Sequence, residues 1–117
     1  KLKLELAECL YATGNPGDAI PHLQQAKTNP HIKTNVLLLL AKCFESKGML
    51  DMAANQLNEA NGLISDMNDT KKEILYTLGE LQIKAGNQEE GIASFKQIYE
   101  VDYGYRDVAS KVESSYS

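Results

Sequence analysis

Tryptophan is absent from this 117-residue chain, and proline occurs only three times and cysteine twice. No long apolar run occurs either. The longest, Val36 to Ala41, falls far short of the roughly 20 residues a membrane-spanning helix requires. No cluster of Lys and Arg offers a footprint for a phosphate backbone, and 16 acidic against 12 basic side chains leave a net charge of −4. Nucleic acid is therefore not an expected partner. Two cysteines alone make neither a disulfide framework nor a zinc site. The chain begins at Lys1 without a Met, and no basic segment followed by an apolar stretch opens it.

Catalytic and metal-binding signals are equally sparse. His22 and His31 have no Cys or His at ligand spacing, whereas structural zinc takes about four such ligands. Asp66-Met67-Asn68-Asp69 opens like a calcium loop, but no Gly follows at the sixth place and Thr77 stands where a bidentate Glu is needed. No nucleophile lies beside a base, and no glycine-rich phosphate loop is present. No catalytic residue, metal or cofactor is expected.

What the chain does contain is ordinary for a folded domain: 43% hydrophobic and 24% charged residues, too apolar for disorder. Comparison of the sequence with itself then shows a repeat. Ala7 and Ala41, Gly14 and Gly48, Ala19 and Ala53, and Leu23 and Leu57 are each 34 residues apart. Ala41 and Gly79, Gly48 and Gly86, Ala53 and Gly91, and Leu57 and Phe95 are each 38 apart. The extra residues of the second step fall between Ala60 and Leu75, where residues 62–70 are polar.

Within each unit the apolar spacings are three and four, the period of an amphipathic helix, and each unit holds two such helices. Gly14, Gly48 and Gly86 follow the first helix, where a residue free of a Cβ ends it in the left-handed conformation. Asp18, Asp51 and the pair Glu89 and Glu90 open the second, facing the positive end of its dipole. Small residues at 7, 41 and 79, and at 19, 53 and 91, let the two helices of a pair approach. Cys9 and Cys43 are also 34 apart and are expected on equivalent buried faces. The pattern predicts helices near 2–13, 16–28, 33–47, 51–66, 70–85, 88–100 and 105–115. Pro21, more than a turn inside the second helix, predicts a kink or an irregular opening there.

In the tail, Tyr105, Val108, Ala109, Val112 and Tyr116 form one apolar stripe, suited to a terminal helix that covers the last pair. The start has no comparable cap, so further repeats are expected before Lys1.

These residues resemble the tetratricopeptide repeat, a helix–turn–helix unit of 34 residues. The resemblance rests on Leu6-Ala7, Gly14, Ala19, Leu23, Ala26 and Pro30; on Leu40-Ala41, Phe44, Gly48, Ala53, Leu57 and Ala60; and on Leu78-Gly79, Gly86, Gly91 and Phe95. It spans about 1–101 and departs from the pattern in lacking Trp and in placing Gln82 where an apolar residue is usual. The resemblance implies an all-α, right-handed α-solenoid of three antiparallel helix pairs, about 1–30, 31–68 and 69–101, plus a capping helix over 102–117. The whole is expected to be a single domain belonging to a longer chain.

In a stacked array the first helix of each pair lines an inner surface. With Leu37, Leu40, Ala41 and Phe44 turned to the core, a second row remains on that helix: Leu38, Lys42 and Glu45. Its equivalents are Leu4, Glu8 and Tyr11 before it and Tyr76, Glu80 and Ile83 after it. Members of this family that grip chaperone tails use a carboxylate clamp of Lys, Asn and Arg. Leu4, Glu8, Leu38, Lys42 and Tyr76 at the matching places make no such clamp. A mixed apolar and acidic row instead suits an extended or helical segment with Leu or Phe anchors and some Lys or Arg. The resemblance implies a non-catalytic protein-interaction or scaffold module. The alternative is a structural segment that forms homo-oligomers through the same row.

Overall fold

A computed structural model describes residues 2–116, with side chains from Leu4 onward. Among the described residues there are seven helices and no strand: α1 (Leu2–Ala12), α2 (Pro16–Ala26), α3 (Lys33–Ser46), α4 (Leu50–Leu63), α5 (Asp69–Lys84), α6 (Gln88–Tyr99) and α7 (Val108–Ser114). None of them is long and apolar enough to cross a membrane. The helices fall into two compact units, Lys1–Leu63 with α1–α4 and Ile64–Ser117 with α5–α7.

Three turns repeat one construction. Gly14, Gly48 and Gly86 all have positive φ, at 84°, 79° and 93°. The residue after each glycine donates its N–H back across the turn: Asn15 to Leu10, Met49 to Phe44 and Asn87 to Gln82, at 2.7, 2.9 and 2.7 Å. The glycines donate to Tyr11, Glu45 and Ile83 at 3.1, 2.9 and 3.0 Å. This double bond to the end of the preceding helix satisfies carbonyls that would otherwise lack donors, and it requires the left-handed residue. The acids at 18, 51, 89 and 90 sit in the first turns of α2, α4 and α6, as their spacing predicts.

In the first unit α1 packs on α2, α2 on α3 and α3 on α4, pair upon pair in the manner of an α-solenoid. Ala7, Ala19, Ala41 and Ala53 are buried to 1% exposure or less at the crossings, with Leu23 and Leu57 fully buried beside them. Glu59 of α4 ties the layers at one edge, 3.2 Å from the ammonium of Lys27 just beyond α2 and 3.2 Å from that of Lys33 at the start of α3. Those two hydrogen-bonded lysines hold the Glu59 carboxyl below its ordinary value. α2 runs from Pro16 to Ala26 with Pro21 inside it. One expectation changes here. Cys9 is exposed whereas Cys43 is buried, because α3 has a preceding pair against it and α1 has none among the described residues.

The second unit opens with residues 64–68. The Asn68 side chain caps α5 by accepting the Lys71 N–H at 2.8 Å, and the Lys71 ammonium donates to the Ile64 carbonyl. Gly79 and Gly91 then bring α5 and α6 unusually close: a Cβ on Gly91 would lie 2.5 Å from Ile83 and 2.8 Å from the Gly79 carbonyl oxygen. Phe95 fills the space over Gly79. Gln82 holds a polar partner rather than an apolar one, accepting a hydrogen bond from the buried Ser94 hydroxyl at 2.8 Å. Leu75, Tyr76, Phe95 and Ile98 form a core that Val108 and Val112 of α7 complete. α7 is shorter than the stripe predicts, because residues 105–107 form a turn with Arg106 at φ 45°. Tyr116 lies past its end, exposed, with the Lys96 ammonium 4.8 Å from its ring centre.

Candidate functional site

The row expected on the first helices has different surroundings in the two units. In the first unit it is accessible. Leu38, Lys42 and Glu45 of α3 are half-buried, spaced four and three residues apart and therefore on one side of the helix. Leu39, also half-buried, widens the apolar end of that row; sequence reasoning missed it because it sits between two positions already assigned. The opposite side of α3 is closed, with Leu37, Leu40 and Ala41 at 1% exposure or less. On α1, Tyr11 is half-buried and Glu8 exposed, while Leu4 is buried at the edge of the row.

In the second unit the same row is covered at one end. Tyr76 is 8% exposed and belongs to the core. Its ring meets Phe95 and Tyr105 edge-on, at centroid distances of 5.4 and 6.1 Å. The Arg106 guanidinium lies 4.8 Å from the Tyr76 ring centre, and the Tyr76 hydroxyl donates to the Asp107 carboxylate. Burial, reinforced by that hydrogen bond, pushes the Tyr76 hydroxyl well above its ordinary value. The same bond lowers the Asp107 carboxyl. Glu80 remains exposed one turn on, and Ile83 is half-buried with its side chain against the core. Tyr76 thus acts as the seat of the turn before α7 in this structure. The signal was present in the sequence as Tyr105-Arg106-Asp107, an aromatic, a cation and an acceptor suited to a tyrosine, but nothing in the spacing said which tyrosine they meet.

In the open part of the row Tyr11, Leu38 and Leu39 present partly accessible apolar side chains, with Glu8, Lys42 and Glu45 beside them. The one reactive side chain on α3, Cys43, lies in the core, where burial pushes its thiol up and away from the nucleophilic thiolate.

Residues 72–105 match the model of the tetratricopeptide repeat family. The crystal structure of MamA, a tetratricopeptide-repeat-containing protein, superposes with a TM-score of 0.81 at 18% sequence identity. That match covers 97% of this chain and 64% of the MamA chain. No curated protein matches this sequence. Three glycine-closed turns, helix pairs packed through small residues and these two likenesses agree: the chain carries a tetratricopeptide repeat at 72–105 and has the all-α fold of a tetratricopeptide-repeat protein along nearly its whole length.

Proposed function

We propose that this chain is a protein-interaction module that seats a partner segment along the row of α1 and α3 in its first unit. Repeats and folds of this family support an interaction or scaffold role and are typically non-catalytic. One observation carries the finer reading. Leu38 and Leu39 lie in the most apolar stretch of the chain, yet both stay half-exposed while their neighbours Leu37 and Leu40 are closed off. A continuous apolar row flanked by charge is what an interface centre offers. The partner is a segment with Leu or Phe anchors at helical or alternate spacing and Lys or Arg beside them.

Peptides selected from a randomised display library on the wild-type chain test this reading. Their affinity for Leu38→Glu is expected to fall by about tenfold or more, the loss typical of an interface anchor. Met52→Glu, an exposed site on α4, should leave it unchanged. Equal affinity for all three proteins, with helicity intact by circular dichroism, would remove the row as the site. Sedimentation velocity addresses the self-assembly alternative: a dimer of the wild-type chain that Leu38→Glu disperses would put a second copy on the row instead.

A further inference from the structure

Three of the six tyrosines in the chain gather on one side of the second unit. The Tyr99 and Tyr103 rings meet edge-on at a centroid distance of 6.0 Å, and Tyr99 and Tyr116 line one depression between α6 and the end of α7. Tyr103 and Tyr116 are 66% and 73% exposed. Tyr99 is fixed by its hydroxyl, which donates to the Glu113 carboxylate at 3.1 Å. The Lys96 ammonium and the Tyr116 ring it covers are the shared wall of two depressions. One, of about 250 Å³, is lined by Tyr99 and Val112, and the other, of about 470 Å³, by Ile92. Ile92 and Tyr99 are seven residues apart, which is about 10 Å along α6 at 1.5 Å per residue.

We propose that this side of α6 and α7 is a docking surface for a proline-rich partner segment carrying Arg or Lys, laid across the Lys96–Tyr116 wall as polyproline II. Spacing, hydrogen bonding and charge choose that occupant. Polyproline II has three residues per turn and rises about 3.1 Å per residue, so its proline positions return about every 9 Å, close to the separation of Ile92 and Tyr99. Proline-rich segments dock in grooves lined by aromatic side chains, and exposed tyrosine rings are such a lining. Polyproline II makes no internal hydrogen bonds, so its carbonyls need donors. With the Tyr99 hydroxyl engaged by Glu113, the exposed Tyr103 and Tyr116 hydroxyls and the Lys96 ammonium supply them. A helical segment, its carbonyls already bonded within itself, has little use for such donors. Glu89, Glu100 and Glu113 rim the two depressions against the single cation Lys96, which favours Arg or Lys between the prolines. The surface belongs to the second unit, whereas the row of α1 and α3 belongs to the first, so each takes its own segment.

Calorimetric titration of the chain with three blocked nonapeptides tests the proposal: three Pro-Pro-Arg repeats, three Pro-Pro-Glu repeats and three Ala-Ala-Arg repeats. The first is expected to bind saturably and about tenfold or more tightly than either control. Tyr103→Ala and Tyr116→Ala should each weaken it by about fivefold or more, the loss expected of an interface aromatic. Leu38→Glu should leave it unchanged. No saturable binding of the Pro-Pro-Arg peptide, equal binding of either control, or unchanged affinity in either tyrosine variant with helicity intact overturns the proposal. A loss at Leu38→Glu overturns it too, by moving the peptide to the row of the first unit. So does sedimentation of the peptide-free chain as a dimer that Tyr116→Ala disperses, which would make a second copy the occupant.

Discussion

Gly79 and Gly91 hold places that Ala41 and Ala53 occupy one repeat earlier, and the larger Phe95 stands where Leu57 does. The exchange is coupled: a bulkier filler needs a smaller floor, and the backbones of α5 and α6 close up until a Cβ at Gly91 has no room. Gly91→Ala is expected to destabilise the second unit by about 1–3 kcal/mol through overpacking against Ile83 and the Gly79 carbonyl, seen as a lower urea midpoint. A midpoint equal to or above that of wild type would show that the helices can part at little cost. Gly48→Ala tests a different property of glycine. Nothing lies within 4 Å of the added methyl, so its expected cost of about 1–2 kcal/mol comes from φ 79° alone. Glu59 gives a pH signature. Its folded-state carboxyl is held below the ordinary 4.5, so its contribution is present above that value and lost as pH falls through the lowered one. Wild type should exceed Glu59→Gln in stability near pH 7, and the gap should close as acid titrates the lowered carboxyl. A gap constant through that titration would mean Lys27 and Lys33 add nothing through charge.

At the scale of elements, the turn of residues 105–107 is what fastens α7 to the second unit. Tyr76→Phe keeps the ring against Phe95 and Tyr105 and removes only the hydrogen bond to Asp107. The expected cost is about 1 kcal/mol, with faster amide exchange in 108–114 and no change in α3 or α4. Uniform exchange rates across α7 in both proteins would show that Val108 and Val112 hold the helix unaided. This tether also marks where sequence reading stops. All seven described helices fall within three residues of their expected ends, because apolar period, glycine at a turn and acid in a first turn are local instructions. The half-buried placement of Leu38, Lys42 and Glu45 on one side of α3 was legible for the same reason: once the core stripe of a helix is assigned, the remaining side follows. The surroundings of Cys9 and Tyr76 were not, since each has the residue type of its repeat counterpart or a close substitute. Their burial is decided by whether a neighbouring pair or a distant turn lies on them, and periodicity carries no information about that.

At the scale of the whole molecule, charge would sort the partners of the proposed row. The chain carries −4, and the row contains Glu8 and Glu45 against one cation, Lys42. Long-range attraction and the flanks of the row therefore favour the same sign of partner, whereas Lys42 opposes it only at contact distance. Peptides with identical Leu anchors but Lys flanks should bind more tightly than their Asp-flanked versions. Each such exposed pairing contributes up to about 1 kcal/mol, or roughly fivefold. Added salt shortens the screening length from about 30 Å at 0.01 M to about 3 Å at 1 M, so the preference should shrink steadily while the affinity due to the apolar anchors persists. Glu45→Lys should reverse the preference at low salt. Removing Lys42 as Lys42→Ala should widen it, unless the aliphatic stem of Lys42 is itself part of the apolar row. In that case both peptides weaken together, and the ratio between them, not either affinity alone, reports the charge. A Lys-over-Asp preference that is absent, or that salt leaves untouched, would mean the flanks of the partner never come near Glu8 and Glu45, and the segment would have to cross the first unit on another side.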